Sequence, residues 1–377
     1  MIHHSISSIM VASSDSAMTQ CDIAAMKATH PVFCTIVPPH VLDKLAQADD
    51  PALAGPARRT LEADAAQRTH RRLTTVLGAP PAAPPADAAG DKPHRTLYDA
   101  QHRQELPGVK VRGEGDEPGQ DATVNRAYAG LGATFDLLLK AFGRRSVDGN
   151  GLPLVASVHY GENYGNAFWD GRQMVFGDGD EIFRDFTLPV DVIAHELAHG
   201  LTQYTANFTY FGQPGALNES VSDVFGSLVK QYVNDQTAEQ ADWLIGAGLL
   251  AERVTGVALR SMKAPGTAYD DDVLGKDPQP ATMADYVRTG RDNGGVHINS
   301  GIPNRAFYLL ATALGGKAWE GAGQIWYDTL TGGGLQVDAS FTDFARATVA
   351  AAHARFGDGE EQEALLKAWS QVGVPTG

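Results

Sequence analysis

From Leu154 to Tyr160 apolar and polar positions alternate (L-V-A-S-V-H-Y), the period of a strand, and Gly-Asn and Gly-Asp pairs break up such segments across residues 95–190. That stretch reads as strands and turns. From residue 191 to 377 the pattern changes to Ala- and Leu-rich runs at helical spacing, such as Phe341–Arg355 and Glu361–Gln371. Ahead of both lies a short apolar segment, Val32 to Val37, then Pro38-Pro39 and a helical pattern beginning near Val41. Between Gly78 and Pro93 the chain is mostly Ala, Pro, Gly and Asp, the composition of an extended, solvated linker open to proteolytic nicking. The predicted organisation is a disordered leader over 1–30, a compact segment over 31–77, the linker over 78–94, a sheet-rich lobe over 95–203 and a helical lobe over 204–377. The class is α+β with two lobes, and clefts between lobes are where ligand sites usually fall.

Composition narrows the partners. With 377 residues the chain exceeds what one core usually holds. A net charge of −15 argues against nucleic acid and anionic membrane as partners. The apolar stretch Leu244–Ala251 is far too short to span a bilayer. The two cysteines, Cys21 and Cys34, both lie near the N-terminus, so disulfides do not hold the core and a thiolate-rich structural zinc site is excluded from the rest. Residues 1–30 lack a basic region followed by an apolar run and do not read as a secretory signal.

The chemistry concentrates at His195-Glu196-Leu197-Ala198-His199. Positions four apart share a helix face, so both histidines can reach one metal ion, with the Glu196 carboxylate beside it as a base. Two histidines that merely cap a polar patch would give the same letters. A catalytic zinc needs a third protein ligand. Further on, Leu217, Val221, Val224, Phe225 and Leu228 form an apolar stripe, while Glu219, Asp223 and Lys230 fall on a polar one. Such a helix can aim Glu219 at the metal and let Asp223 fix the tautomer of His195 or His199, or it can simply present a solvated face. A histidine in the glycine-marked segment Asp292 to Gly301 can stabilise an oxyanion, with Asp292 orienting it; a satisfied structural histidine is the other reading of His297. Tyr210 is a second possible oxyanion donor, or a packing residue.

Together these motifs resemble the thermolysin family of zinc metalloendopeptidases over roughly residues 96–375. Asn166 to Trp169, followed by Met174 to Asp180, resembles the family's substrate-binding edge strand and its turn. His195 to His199, Asn218-Glu219 and Asp223 match its metal site in order and spacing, Asp292 to Gly301 the segment of its catalytic histidine, and Leu259 to Met262 that of its substrate-carbonyl arginine. The resemblance implies zinc on His195, His199 and Glu219, Glu196 as general base, and Tyr210 with His297, supported by Asp292, on the oxyanion. It implies Asn166, Ala167 and Arg260 on peptide backbone, and Phe183, Phe186, Val192 and Leu259 lining a pocket for a hydrophobic residue just after the scissile bond. A non-catalytic zinc-stabilised binding protein and a zinc exopeptidase are the alternatives.

Two departures follow. Where larger members gather carboxylates around paired calcium ions, this chain keeps Asp191 and Asp242 but has Lys230, Leu244 and Ala247. The paired calcium site is therefore expected to be absent; calcium elsewhere stays open, with the acidic run Asp270-Asp271-Asp272 as its candidate, and a solvated loop is the expected reading of that run. Cys34 to Leu42 is similar to the short propeptide of protealysin-like members, which implies an intramolecular inhibitor released by a cut between about Arg72 and Arg95. Cys34 either reaches the zinc as a thiolate or packs as a small apolar residue. Protein and peptide substrates, a monomer, and secretion despite the missing signal complete the expectation, with a cytoplasmic location as the alternative.

Overall fold

A computed structural model describes residues 34–76 and 90–377. The expected leader, Cys21 and most of the linker lie outside the described residues.

The N-terminal segment begins with β1 (Cys34–Thr35), α1 (Pro39–Ala46) and α2 (Pro51–Val76). Pro38 is extended and α1 starts on Pro39, where a missing N–H costs nothing in the first turn. Val41, Leu42 and Leu45 are its buried face. On α2, Thr60, Ala63 and Asp64 share one face and are all buried. Arg72 lies within α2, which continues to Val76.

The sheet-rich lobe follows with β2 (Arg95–Asp99), β3 (Val109–Gly113), α3 (Ala122–Phe142), β4 (Leu154–Val158), β5 (Ala167–Trp169) and β6 (Met174–Phe176). The strands form one six-stranded sheet in the order β1-β5-β6-β4-β2-β3. β1 therefore extends the sheet beyond β5, antiparallel to it, with Cys34 opposite Trp169 and Thr35 opposite Phe168. The 21-residue helix α3 corrects the expectation of strands and turns throughout 95–190. Its start is encoded locally, since the Asp121 carboxylate accepts from the Thr123 and Val124 N–H groups. Its glycines serve packing: a Cβ on Gly130 would stand 2.5 Å from the side chain of Ile193.

The sheet-rich lobe ends with α4 (Val190–Gln203), and the helical lobe starts with α5 (Gly212–Val233). Two short ribbons come next, β7 (Leu244–Ile245) with β8 (Arg260–Ser261), and β9 (Asp270–Asp271) with β10 (Gly275–Lys276). Then follow α6 (Asp292–Asn299), α7 (Gly301–Leu314), α8 (Ala322–Thr331), α9 (Phe341–Phe356) and α10 (Glu360–Gln371). The ribbons interrupt the mainly helical pattern expected there. The acidic run is not a plain solvated loop either: the Asp271 carboxylate accepts from the N–H groups of Thr255, Val273 and Leu274 and fastens the turn. One apolar cluster joins both lobes, with Trp326 stacked on Trp369 at 5.9 Å between ring centroids. Every residue of α4 from Asp191 to Thr202 is buried in it, so the polar side chains of the His-Glu motif must find partners inside the protein.

Candidate active site

His195 and His199 project from adjacent turns of α4, with their Nε2 atoms 3.2 Å apart. Behind them, His195 Nδ1 lies 2.8 Å from Asp223 Oδ1 and His199 Nδ1 lies 2.8 Å from Asn218 Oδ1. Both partners are acceptors, so each Nδ1 carries the proton and each Nε2 turns a lone pair inward. Glu219 on α5 adds carboxylate oxygens 3.6 Å from His195 Nε2 and 3.8 Å from His199 Nε2. Its Oε2 is buried without a hydrogen-bond partner. Two converging lone pairs and a carboxylate in a dry interior repel unless a cation stands between them. The 3.2 Å separation also fits one edge of a tetrahedron with metal–nitrogen bonds of about 2.0 Å. Cys34 Sγ joins these three residues, and the four ligand atoms all lie within 4.8 Å of one another. Burial drives His199 down to about 3, leaving the neutral imidazole a metal needs. Burial pushes the Glu219 carboxyl up, but His297, His199 and His195 outweigh it and bring it to about 2.

Glu196 sits between this cluster and the sheet. Its Oε2 accepts from the Trp169 N–H at 3.0 Å, while Oε1 is buried with no hydrogen-bond partner. Burial, then the nearby charge of Glu219, hold its carboxyl well above the usual range. A base so placed holds a proton readily once it has taken one.

On the other side stand Tyr210 and His297. The Tyr210 hydroxyl bonds Glu219 Oε1 and lies 3.4 Å from His297 Nε2. His297 follows a backbone turn through Asp292, Asn293, Gly294 and Gly295 with φ of 52°, 49°, 83° and 79°, a left-handed run that the two glycines make possible. This turn brings the Asp292 carboxylate back onto His297, 2.5 Å from Nδ1 and 2.9 Å from the backbone N. Burial opposes a charge on His297, but Asp292 and Glu219 prevail and raise it to about 9.

Arg260 is fully buried and grips both oxygens of Asp223 through Nε and Nη2, at 2.9 and 2.8 Å. Asn304 Nδ2 also donates to Asp223, at 2.8 Å. From sequence Asn218 had no role of its own, and Ser222 (Oγ 3.1 Å from His199 Nδ1) and Asn304 were not reached. Asn218 carried the one available signal, its place beside Glu219. Asn166 receives the N-terminal segment, its Oδ1 accepting from Val37 N at 2.9 Å and its Nδ2 donating to Asp64 at 3.1 Å. Phe183 and Phe186 pair at 5.9 Å, and with Val192, Leu259 and Ile36 they belong to the same buried apolar cluster. A cavity of about 560 Å³, lined by Phe211, Met283, Tyr286, Arg288 and Gly294, lies apart from the four ligand residues.

Residues 88–203 match the thermolysin metallopeptidase catalytic domain, and residues 206–374 match the alpha-helical domain of the same metallopeptidases. The chain belongs to the thermolysin family. The break between the two matches falls at the end of α4, so the His-Glu motif closes the first domain while Tyr210, Glu219, Arg260 and His297 come from the second. An extracellular metalloprotease of Pectobacterium carotovorum subsp. carotovorum is 50% identical over 343 residues, covering 91% of this chain and 96% of that protein. An extracellular minor metalloprotease of Serratia marcescens is 43% identical over 293 residues, 75% of this chain and 78% of its own length. Among solved structures, the precursor of protealysin, a metalloproteinase from Serratia proteamaculans, superposes with a TM-score of 0.82 at 52% identity, covering 91% of this chain and all of that one. The sheet-rich and helical lobes are those of a thermolysin-like metalloendopeptidase. Its family uses zinc, and the cluster of His195, His199 and Glu219 fits a metal ion.

Proposed function

We propose that this chain is a latent zinc endopeptidase that cuts protein chains on the N-terminal side of hydrophobic residues. The observation that carries this reading is the pair of inward Nε2 lone pairs beside Glu219, with Glu196 one residue along the same helix and tied to β5. His195, His199 and Glu219 would hold the ion, and Asp223 and Asn218 orient the two imidazoles. Bound there, zinc would supply Lewis acidity toward water and the scissile carbonyl. Glu196 takes the proton of the attacking water and passes it to the leaving amine. His297, charged and oriented by Asp292, and Tyr210 donate to the carbonyl oxygen as negative charge gathers on it. Asn166, Ala167 and Arg260 hold the substrate backbone. Phe183, Phe186, Val192 and Leu259 favour an apolar side chain after the cut.

Residues 31–77 act as the inhibitory segment, residues 78–94 as the linker that is cut, and Cys34 as a ligand that closes the metal site until then. Processing and secretion fit the extracellular relatives. Lys230 replaces the paired calcium ions. Glu196→Gln tests the core of this reading: the variant is expected to keep one zinc per chain yet lose nearly all casein cleavage, and retained cleavage sinks the mechanism. Mapping the ends of peptides from an oxidised insulin chain checks internal cuts before hydrophobic residues.

A further inference from the structure

The groups assigned to substrate backbone are already engaged, one by one, by the protein's own Thr35-Ile36-Val37. Ile36 N donates to the Ala167 carbonyl at 3.1 Å, and the Ile36 carbonyl accepts from Arg260 Nη1 at 3.0 Å. Val37 N donates to Asn166 Oδ1 at 2.9 Å. The Thr35 carbonyl oxygen lies 3.1 Å from His297 Nε2, the group that would steady an oxyanion. A segment that only blocked the cleft could run in either direction and in any register. This one puts a carbonyl on the oxyanion side and follows it with a fully buried, β-branched apolar residue, Ile36, as a substrate would. What differs from a substrate is the neighbour: Cys34 Sγ stands 2.8 Å from Glu219 Oε1 and 3.6 Å from His297 Nε2, in the space an attacking water needs.

We propose that the Thr35–Ile36 peptide bond is a self-cleavage site held in reactive register and protected by the Cys34 side chain. The inference rests on the peptidase reading above. In the step, water adds its oxygen to the Thr35 carbonyl carbon, the bond to the Ile36 nitrogen breaks, and Glu196 carries a water proton to that nitrogen. Thr35 ends as a carboxylate and Ile36 as an amine; one water is consumed and nothing is oxidised. The product stays in place. Asp64 bonds Tyr164 and Asn166, the Gly165 N–H donates to Thr60 Oγ1 at 3.1 Å, and Gln67 donates to the Tyr160 hydroxyl at 3.0 Å. These contacts lie beyond the cut and hold α2 to the sheet, so a nicked chain keeps its inhibitor.

The test uses the full chain with zinc, as wild type, Cys34→Ala, Cys34→Ser, and Cys34→Ala combined with Glu196→Gln, followed by intact-mass spectrometry at several protein concentrations. Both single variants are expected to produce a chain beginning at Ile36, more than about tenfold faster than wild type and independently of concentration. The double variant is expected to stay whole at that bond. Cutting of the single variants only within the linker, or equal rates in wild type, overturns the inference. A readout without turnover accompanies it: cobalt-loaded Glu196→Gln is expected to show thiolate-to-cobalt absorption that the double variant lacks, and no such band removes Cys34 as the protecting group. Casein cleavage by the same Cys34→Ala sample, once its linker has been cut with trypsin and the segment released, separates the two levels. Casein cut with Thr35–Ile36 intact refutes only this inference, whereas no casein cleavage refutes the peptidase reading beneath it.

Discussion

Lys230 sets its ammonium nitrogen 3.1 Å from the Asp191 carboxylate, at the start of the His-Glu helix, and 2.8 Å from Asp242. The same nitrogen donates to the Leu244 carbonyl at 3.1 Å, and Asp191 also accepts from Gly246 N at 3.2 Å. One side chain thus neutralises and ties together three segments. Added calcium is expected to leave the melting temperature of the wild-type chain unchanged. Lys230→Glu leaves three carboxylates facing one another, and losing the buried partner is expected to cost about 3–5 kcal/mol, partly recovered with calcium. Calorimetry with and without calcium checks this; a wild-type shift that the variant does not alter goes against it.

Asp64 carries a pH dependence into the contact between the N-terminal segment and the catalytic lobe. Burial raises its carboxyl from 3.8 to about 6, against the opposing pull of Tyr164, Arg68 and Asn166. The folded value lies above the free one, so its stabilising share is complete below about pH 3.8 and is lost as the pH rises through about 6. Protection of the α2 amides against hydrogen exchange, corrected for intrinsic rates, is expected to fall over that window and then level off. Asp64→Asn is expected to abolish the slope. An unchanged slope in the variant would exclude Asp64 as its source.

A second pH-sensitive contact joins His159 to two carboxylates. His159 holds Asp178 through Nδ1 and Asp121 through Nε2, both at 2.8 Å. The hydrogen bond to the Asp178 carboxylate leads, burial opposes, and Asp121 adds, raising the imidazole from 6.5 to about 9. Its contribution is fully present below pH 6.5 and is lost as the pH rises through about 9. His159→Gln is expected to lower the melting temperature at pH 7 and to shrink the further drop between pH 7 and 10. Equal drops in both chains would rule the pair out as its cause.

His195, Arg260 and Asn304 all bond Asp223, so on the proposed reading the metal side and the substrate side would share one carboxylate. Asp223→Asn strands the buried Arg260 guanidinium and offers His195 a weaker acceptor. Zinc affinity is expected to fall by about 10–100-fold. Unfolding is expected to ease by about 3–5 kcal/mol. Competition with a fluorescent chelator and urea unfolding measure the two. Loss of stability with intact zinc affinity would confine Asp223 to a structural role.

Much of the site was legible because its parts carry local signatures. His195 and His199 are one helical turn apart, Glu219 and Asp223 share a second helix, and the glycines before His297 announce a turned backbone. Chain-distant partnerships left no such trace. Asn304 reaches Asp223 across 81 residues and Asp64 reaches Asn166 across 102, and neither spacing marks a pair in a linear reading. Helix α3 was overlooked for a different reason. Its glycines lower intrinsic helicity and repay that only in packing, as Gly130 does against Ile193. The capping aspartate at its head was the readable cue. A lysine in an otherwise acidic cluster is visible without coordinates, and the structure pairs Lys230 with Asp191 and Asp242.

The place of β1 in the strand order has a consequence for solubility. While Cys34 and Thr35 lie along Ala167 to Trp169, that border of the sheet has its hydrogen-bonding groups matched. Departure of the segment leaves the same border open, and open borders recruit extended chains without regard to whose they are. An appetite for substrates and a tendency to stick to sibling molecules would therefore arise together, at one moment and from one row of backbone groups. On the proposed reading, keeping that row covered until the chain reached a dilute setting would protect the protein from itself as much as it would protect its neighbours from being cut.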